Sequence, residues 1–153
     1  MEWADKLGDM IPVEKKDFRM YVNNFQRVVA IICDSMCNNA LEQFLMFKFS
    51  KKGQEVKKLF SIERDGPLAS LINKARLAYA INLINEATLN DLINIHKIRN
   101  RCAHEIHISF GDKEICKYVR KLSVVPKDKK VTPANSLKFF MEAVLSSHGS
   151  FRI

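Results

Sequence analysis

Along most of the chain, apolar residues recur at steps of three and four, the period of a buried helical face. Between Lys16 and Phe49 they fall at Phe18, Val22, Phe25, Val28, Val29, Ile32, Met36, Leu41, Phe44, Leu45 and Phe49. This pattern predicts a helix that starts after Pro12 and stops before Gly53. Its length exceeds that of an ordinary globular helix, which predicts a break near CDSMCNN. Asp65-Gly66-Pro67 reads as a turn, with Pro67 suited to the first turn of the next helix. Leu68, Leu71, Ile72, Ala75, Leu77, Ala78 and Ile81 mark that helix, and its small residues permit close packing. Thr88 and Asp91 resemble a capping box, so a further helix is expected from Leu89 to Ala103. Beyond His107 come a turn at Gly111-Asp112 and a short helix carrying Ile115, Val119 and Leu122. A polar loop bracketed by Pro126 and Pro133 follows, then a last helix capped by Asn135 or Ser136. The expectation is an all-α fold: an antiparallel multi-helix bundle with short loops, forming one domain over residues 1–153, with 124–134 a mobile loop. No internal repeat, glycine-rich phosphate loop, nucleophile elbow or heptad array is evident.

Composition agrees with one helical domain. Gly and Pro number only 5 and 4 in 153 residues, which favours helices over a turn-rich sandwich. No uncharged apolar run reaches the ~18 residues a membrane span needs. The opening MEWADKLGDM carries acids and lacks the apolar stretch of a secretory signal, so a cytoplasmic location is expected. Cys33, Cys37, Cys102 and Cys116 show no disulfide-framework spacing and suit reduced, buried thiols. The net charge of +8 would attract a polyanion or an acidic protein surface. Lys51, Lys52, Lys57 and Lys58 suit a solvated exterior equally well. Trp3, Phe25, Phe44, Phe47 and Phe49 are expected in the core or on a dimer surface rather than as base-stacking platforms.

The most unusual stretch is IRNRCAHE, residues 98–105. On a helix turning about 100° per residue, Asn100 and His104 lie about 40° apart, on the same half as Leu89, Leu92, Ile93 and His96. They are therefore expected to face inward, where unpartnered polar groups are costly. Arg99 and His104 lie about 140° apart, so gripping one substrate would take a helix ending near Cys102, or a second subunit. Both residue types also suit a helix C-terminus, where they bond the last carbonyls. Cys102, His104, His107 and Cys116 do not match zinc-site spacing, and neither metal nor cofactor is expected. His148 is expected at the surface.

Three ordered blocks, LFSIERDGPLASLINKARLAYAINLI, LNDLINIHKIRNRCAHE and SFGDKEI, resemble the mannitol operon repressor-like family. That family has a GPL turn, a Lys/Arg-x-x-LAY-x-x-x-LI helix and an IR-x-IRN-x-x-AH segment, and the likeness spans residues 18–123. It implies an all-helical protein classed with transcriptional regulators, without an evident DNA-reading element. Separately, Arg99, Asn100 and His104 resemble the Arg-x(4–6)-His signature of the HEPN superfamily, in which a polar residue often follows the Arg. That likeness implies a metal-independent ribonuclease. His104 would act as general base toward a ribose 2′-hydroxyl, Arg99 would stabilise the phosphorane, and Asn100 would orient the phosphate or the imidazole. The favoured expectation is a non-catalytic regulatory or interaction protein that binds a macromolecular partner, protein over nucleic acid, with a homodimer left open. Its binding residues would be His96, Arg99, Arg101, His104 and His107. The alternatives are the ribonuclease, and a cytosolic immunity or antitoxin protein that neutralises a toxin by direct binding.

Overall fold

The computed structural model describes residues 15–151, and side-chain surroundings from residue 17; Trp3 lies outside that range. Among the described residues there are six helices and no strand. The first, α1, runs uninterrupted over Lys15–Lys48. The expected break at CDSMCNN does not occur. Ser35 satisfies its hydroxyl inside the helix, donating to the Ile31 carbonyl at 3.0 Å, while Cys33 and Cys37 continue the inward spacing.

The single buried face expected along α1 is corrected to two apolar faces. Ala30, Cys33, Cys37, Leu41, Phe44 and Leu45 are buried, whereas Phe18, Val22, Phe25, Val28, Ile32 and Met36 are exposed. The two sets are centred roughly 120° apart around the helix, so only one of them can meet the other helices.

After Gly53, whose φ of 135° lies in the region that favours glycine, comes the short α2, Gln54–Lys58. The chain then folds back on itself. Gly66 N–H donates to the Ser61 carbonyl at 2.9 Å, and Leu68 N–H to the Leu59 carbonyl at 2.8 Å. A Cβ at Gly66 would collide with the Leu59 and Lys58 carbonyl oxygens, which explains why the GPL turn needs its glycine.

The next helix, α3, spans Leu71–Ala80 and begins later than Pro67 suggests. Its cap is Ser70, which accepts from Asn73 N–H at 3.2 Å, while the Pro67 carbonyl accepts from the Asn73 side chain at 2.9 Å. It ends in a Schellman turn. Asn82 adopts φ 59°, Leu83 N–H donates to the Ala78 carbonyl at 2.8 Å, and Asn82 N–H donates to Tyr79 at 2.9 Å.

Helix α4, Glu86–His104, is capped by Asn85, which accepts from Thr88 N–H at 2.8 Å. The expected Thr88–Asp91 capping box is therefore replaced. Asp91 is buried and accepts instead from the Ser123 N–H at 2.7 Å and from the Ser123 hydroxyl. Helices α5, Lys113–Val119, and α6, Ser136–Gly149, complete the fold. Asn135 precedes α6 without a side-chain cap bond. It ties the preceding loop instead, accepting from Thr132 N–H at 2.7 Å and donating to the Lys130 carbonyl at 3.0 Å. In the 124–134 segment Val131 is buried and Val124 and Val125 pack on the core, while Pro126 to Lys130 face solvent.

At the centre lies α4, which packs against α1, α3, α5 and α6; α1 also packs against α3 and α6. Leu92, Ile95, Ile98 and Cys102 of α4 meet Phe110, Ile115, Val119, Phe140 and Ala143 in one core. Each large apolar side chain there contributes about 1.5–3 kcal/mol of transfer free energy. Phe110 and Phe140 stack edge-on, with centroids 5.1 Å apart. The direction of α4 relative to α1 follows from their polar contacts. Arg27 reaches Cys102, while Asp34, two turns further along α1, reaches back to His96, so the pair runs antiparallel. One lysine is drawn inside as well. Lys74 of α3 is 1% exposed, its ammonium 2.6 Å from Glu42, 2.9 Å from Asn38 and 5.7 Å from the Phe60 ring centroid.

No described helix is long and apolar enough to cross a membrane.

Candidate functional site

The inward face of α4 is not the half that carries Asn100 and His104. Leu92, Ile95, Ile98 and Cys102 are fully buried, and this stripe is turned roughly 150° from the Asn100–His104 side. The sequence supports two apolar stripes on α4, and the one richer in isoleucine faces the core. His96, Arg99, Asn100 and Arg101 consequently sit half-buried at its edges, and His104 is exposed.

The two ends of IRNRCAHE then part company. Toward α1, the buried carboxylate of Asp34 organises a polar knot. His96 Nδ1 donates to its Oδ1 at 2.9 Å, and Arg99 Nε lies 3.9 Å from its Oδ2. The second distance is an ionic contact rather than a hydrogen bond, and Arg99 uses Nη1 to donate to Asn100 Oδ1 at 3.0 Å. Arg99 thus engages Asn100 and, through Asp34, α1. The helix stays regular through His104, so Arg99 and His104 remain on different sides of it.

At the other end, Arg27 of α1 closes off α4 by donating from Nε to the Cys102 carbonyl at 2.8 Å and from Nη1 to the Ile106 carbonyl at 3.4 Å. This meets part of the helix-terminal acceptor demand that Arg99 and His104 were candidates to meet. Arg101 pairs with Glu105, one turn on, at 2.9 Å. His104, Ile106 and His107 project into solvent, Ile106 at 69% exposure despite its apolar side chain. Ile106 and His107 form one wall of a cleft of about 510 Å³, and Asp17, Arg19, Met20, Asn23 and Asn24 of α1 form the other.

The zinc-type quartet does not converge, because Cys102 and Cys116 are buried and His104 and His107 are exposed. All four cysteines are free thiols. Burial pushes Cys37 up to about 12, with the Asp34 and Cys33 charges adding to it. Burial likewise pushes Cys102 up to about 11, with Glu105 adding and the Arg27 guanidinium opposing. Cys33 is raised by burial. Such thiols are poor nucleophiles, since the thiolate is the reactive form. His148 is exposed, with its ring 6.4 Å from that of Phe151.

Sequence reasoning missed Asp34, Arg27 and Lys74 as organising residues. A signal for the first was present, because Asp34 is a lone acid amid the apolar spacing of Ala30, Cys33 and Cys37. Lys74 opens the Lys-x-x-LAY block, and its partners Asn38 and Glu42 lie in a distant part of the chain.

Comparison with curated proteins gave no match, and comparison with solved structures gave none either. A family model described as mannitol repressor matches residues 21–145, a span that takes in α1 from Tyr21, the GPL turn, the Lys74 helix, the Asp34–His96–Arg99 knot and most of α6. With so much of its length matched, and with the all-helical bundle the likeness implies, the chain belongs to the mannitol repressor family.

Proposed function

We propose that this regulatory-family chain acts without catalysis, by binding a macromolecular partner, a protein in preference to nucleic acid. The contact surface would be the end of α4 and the cleft beside it. What carries the reading is the split within IRNRCAHE. Its inner Arg99 lies against Asp34, which also holds His96 just before the motif, and Arg99 donates to Asn100, whereas His104 and, just past the motif, Ile106 and His107 are exposed. An exposed apolar side chain rimmed by polar groups and adjoining a concave wall is the anatomy of an interface core with its rim. A polyanion site would instead call for clustered, unopposed cations, and here Arg101 is paired with Glu105 and Arg19 shares the cleft with Asp17.

The test is affinity capture from the native cell with the parent chain and with Ile106→Asp and His107→Ala. A protein partner retained by the parent and lost by both variants, with unchanged circular dichroism, is the expected result. Metal-independent RNA cleavage by the purified chain, abolished by both Arg99→Ala and His104→Ala, would overturn the proposal in favour of a HEPN-like ribonuclease.

A further inference from the structure

The outward face of α1 carries an apolar pattern that the fold leaves unused. Phe18, Val22, Phe25, Val29, Ile32 and Met36 advance by four, three, four, three and four residues, the a/d spacing of a coiled-coil seam. Tyr21 and Val28 widen it on one side. Phe18 and Phe25 are 64% and 65% exposed, Tyr21 is 60%, Ile32 is 52% and Met36 is 48%; Val29 is half-buried. No described residue covers this stripe.

The uncovered area is on the order of 700 Å², given the 150–250 Å² an aromatic side chain can bury. That exceeds the few hundred Å² of an ordinary monomer's largest apolar patch and approaches the ~800 Å² each partner gives to a standard interface. The stripe itself holds no charge. Its margins include the neutral Asn24, Ser35 and Asn39, whereas a helix lying on an anionic membrane is bordered by Lys and Arg. The uncharged seam gives a polyanion nothing to bind.

We propose that a second copy of this chain covers the stripe, the two α1 helices packing antiparallel across a two-fold axis. The spacing reads the same from either end. An antiparallel pair therefore sets Phe18 against the partner's Met36, Val22 against the partner's Ile32 and Phe25 against the partner's Val29. Antiparallel seams match a positions with d positions and also oppose the helix dipoles. The inward face of α1 packs on its own bundle most extensively toward its C-terminal half, where Ala30, Cys33, Cys37, Leu41, Phe44 and Leu45 are buried. The two bundles therefore lie toward opposite ends of the paired helices. None of the seam residues lines the cleft beside Ile106, although Asn24 borders both, so the seam is tested by its own substitutions independently of the proposed partner site.

Sedimentation velocity of the full chain at micromolar concentrations tests it. The parent is expected to sediment as a dimer, and Phe25→Lys and Ile32→Lys each as a monomer with the parent's circular dichroism. Should either variant fail to fold, Phe18→Ser, at the far end of the seam, is expected to weaken association by about tenfold while leaving the fold intact. A monomeric parent overturns the proposal, whether the stripe stays open or is covered by the chain's own first residues or another protein. So does a dimer that these substitutions leave unweakened.

Discussion

Asp34 is buried, and it accepts the His96 Nδ1 proton while lying against the Arg99 guanidinium, two groups that reach it from α4. Removing it leaves His96 without its acceptor and the Arg99 guanidinium without its nearby carboxylate, at a half-buried edge that water can partly reach. Asp34→Ala is therefore expected to cost about 1–3 kcal/mol, with Asp34→Asn losing less because its amide oxygen can still accept from His96. Urea denaturation of the variants measures this, and partner capture should survive in any variant that stays folded. The polar content of IRNRCAHE was legible in the sequence, and so was the divergence of Arg99 from His104. The acceptor of His96 was not, because Asp34 lies 62 positions before it and only the packing of two helices brings the two together.

Helix ends were harder to read than helix interiors. Thr88 and Asp91 have the right spacing for a cap, but Asn85, three residues earlier, takes that role and frees Asp91 to hold Ser123. The competition is local and subtle, since several polar residues near a helix start can each accept a first-turn N–H. The GPL turn is a clearer case. Gly66 sits against two carbonyl oxygens where no Cβ fits, so Gly66→Ala forces the backbone apart and breaks the Ser61 and Leu59 bonds of the turn. The expected loss is about 2–3 kcal/mol, read as a lowered midpoint in thermal or urea unfolding. By contrast, Asn82→Gly at the left-handed residue ending α3 should leave stability within about 1 kcal/mol, because glycine also suits that conformation.

Across the whole molecule, α1 and α4 enclose thiols in a core that keeps them neutral. Cys37 and Cys102 are raised from the ordinary 9.0 to about 12 and about 11. Folded-state values above the unfolded one mean the unfolded chain releases these protons first. Their contribution to stability is thus complete below pH 9 and is lost as pH rises from 9 through 11 and 12. Equilibrium unfolding across that range should show a declining midpoint, and Cys37→Ala/Cys102→Ala should flatten the decline while lowering stability at neutral pH. The all-α class, the reduced thiols and the family blocks all followed from the sequence alone, because helical period, composition and local motifs are properties of neighbouring residues. Which of two apolar stripes turns inward is not such a property. On α1 both stripes are apolar, and on α4 the stripe shared with Asn100 and His104 looked as good as the one that won. Burial is settled by the helices packed alongside, and only the tertiary structure supplies them. That choice places Ile95 and Cys102 in the core, leaves His104 in solvent, and sets Phe18, Phe25 and Ile32 on an open face.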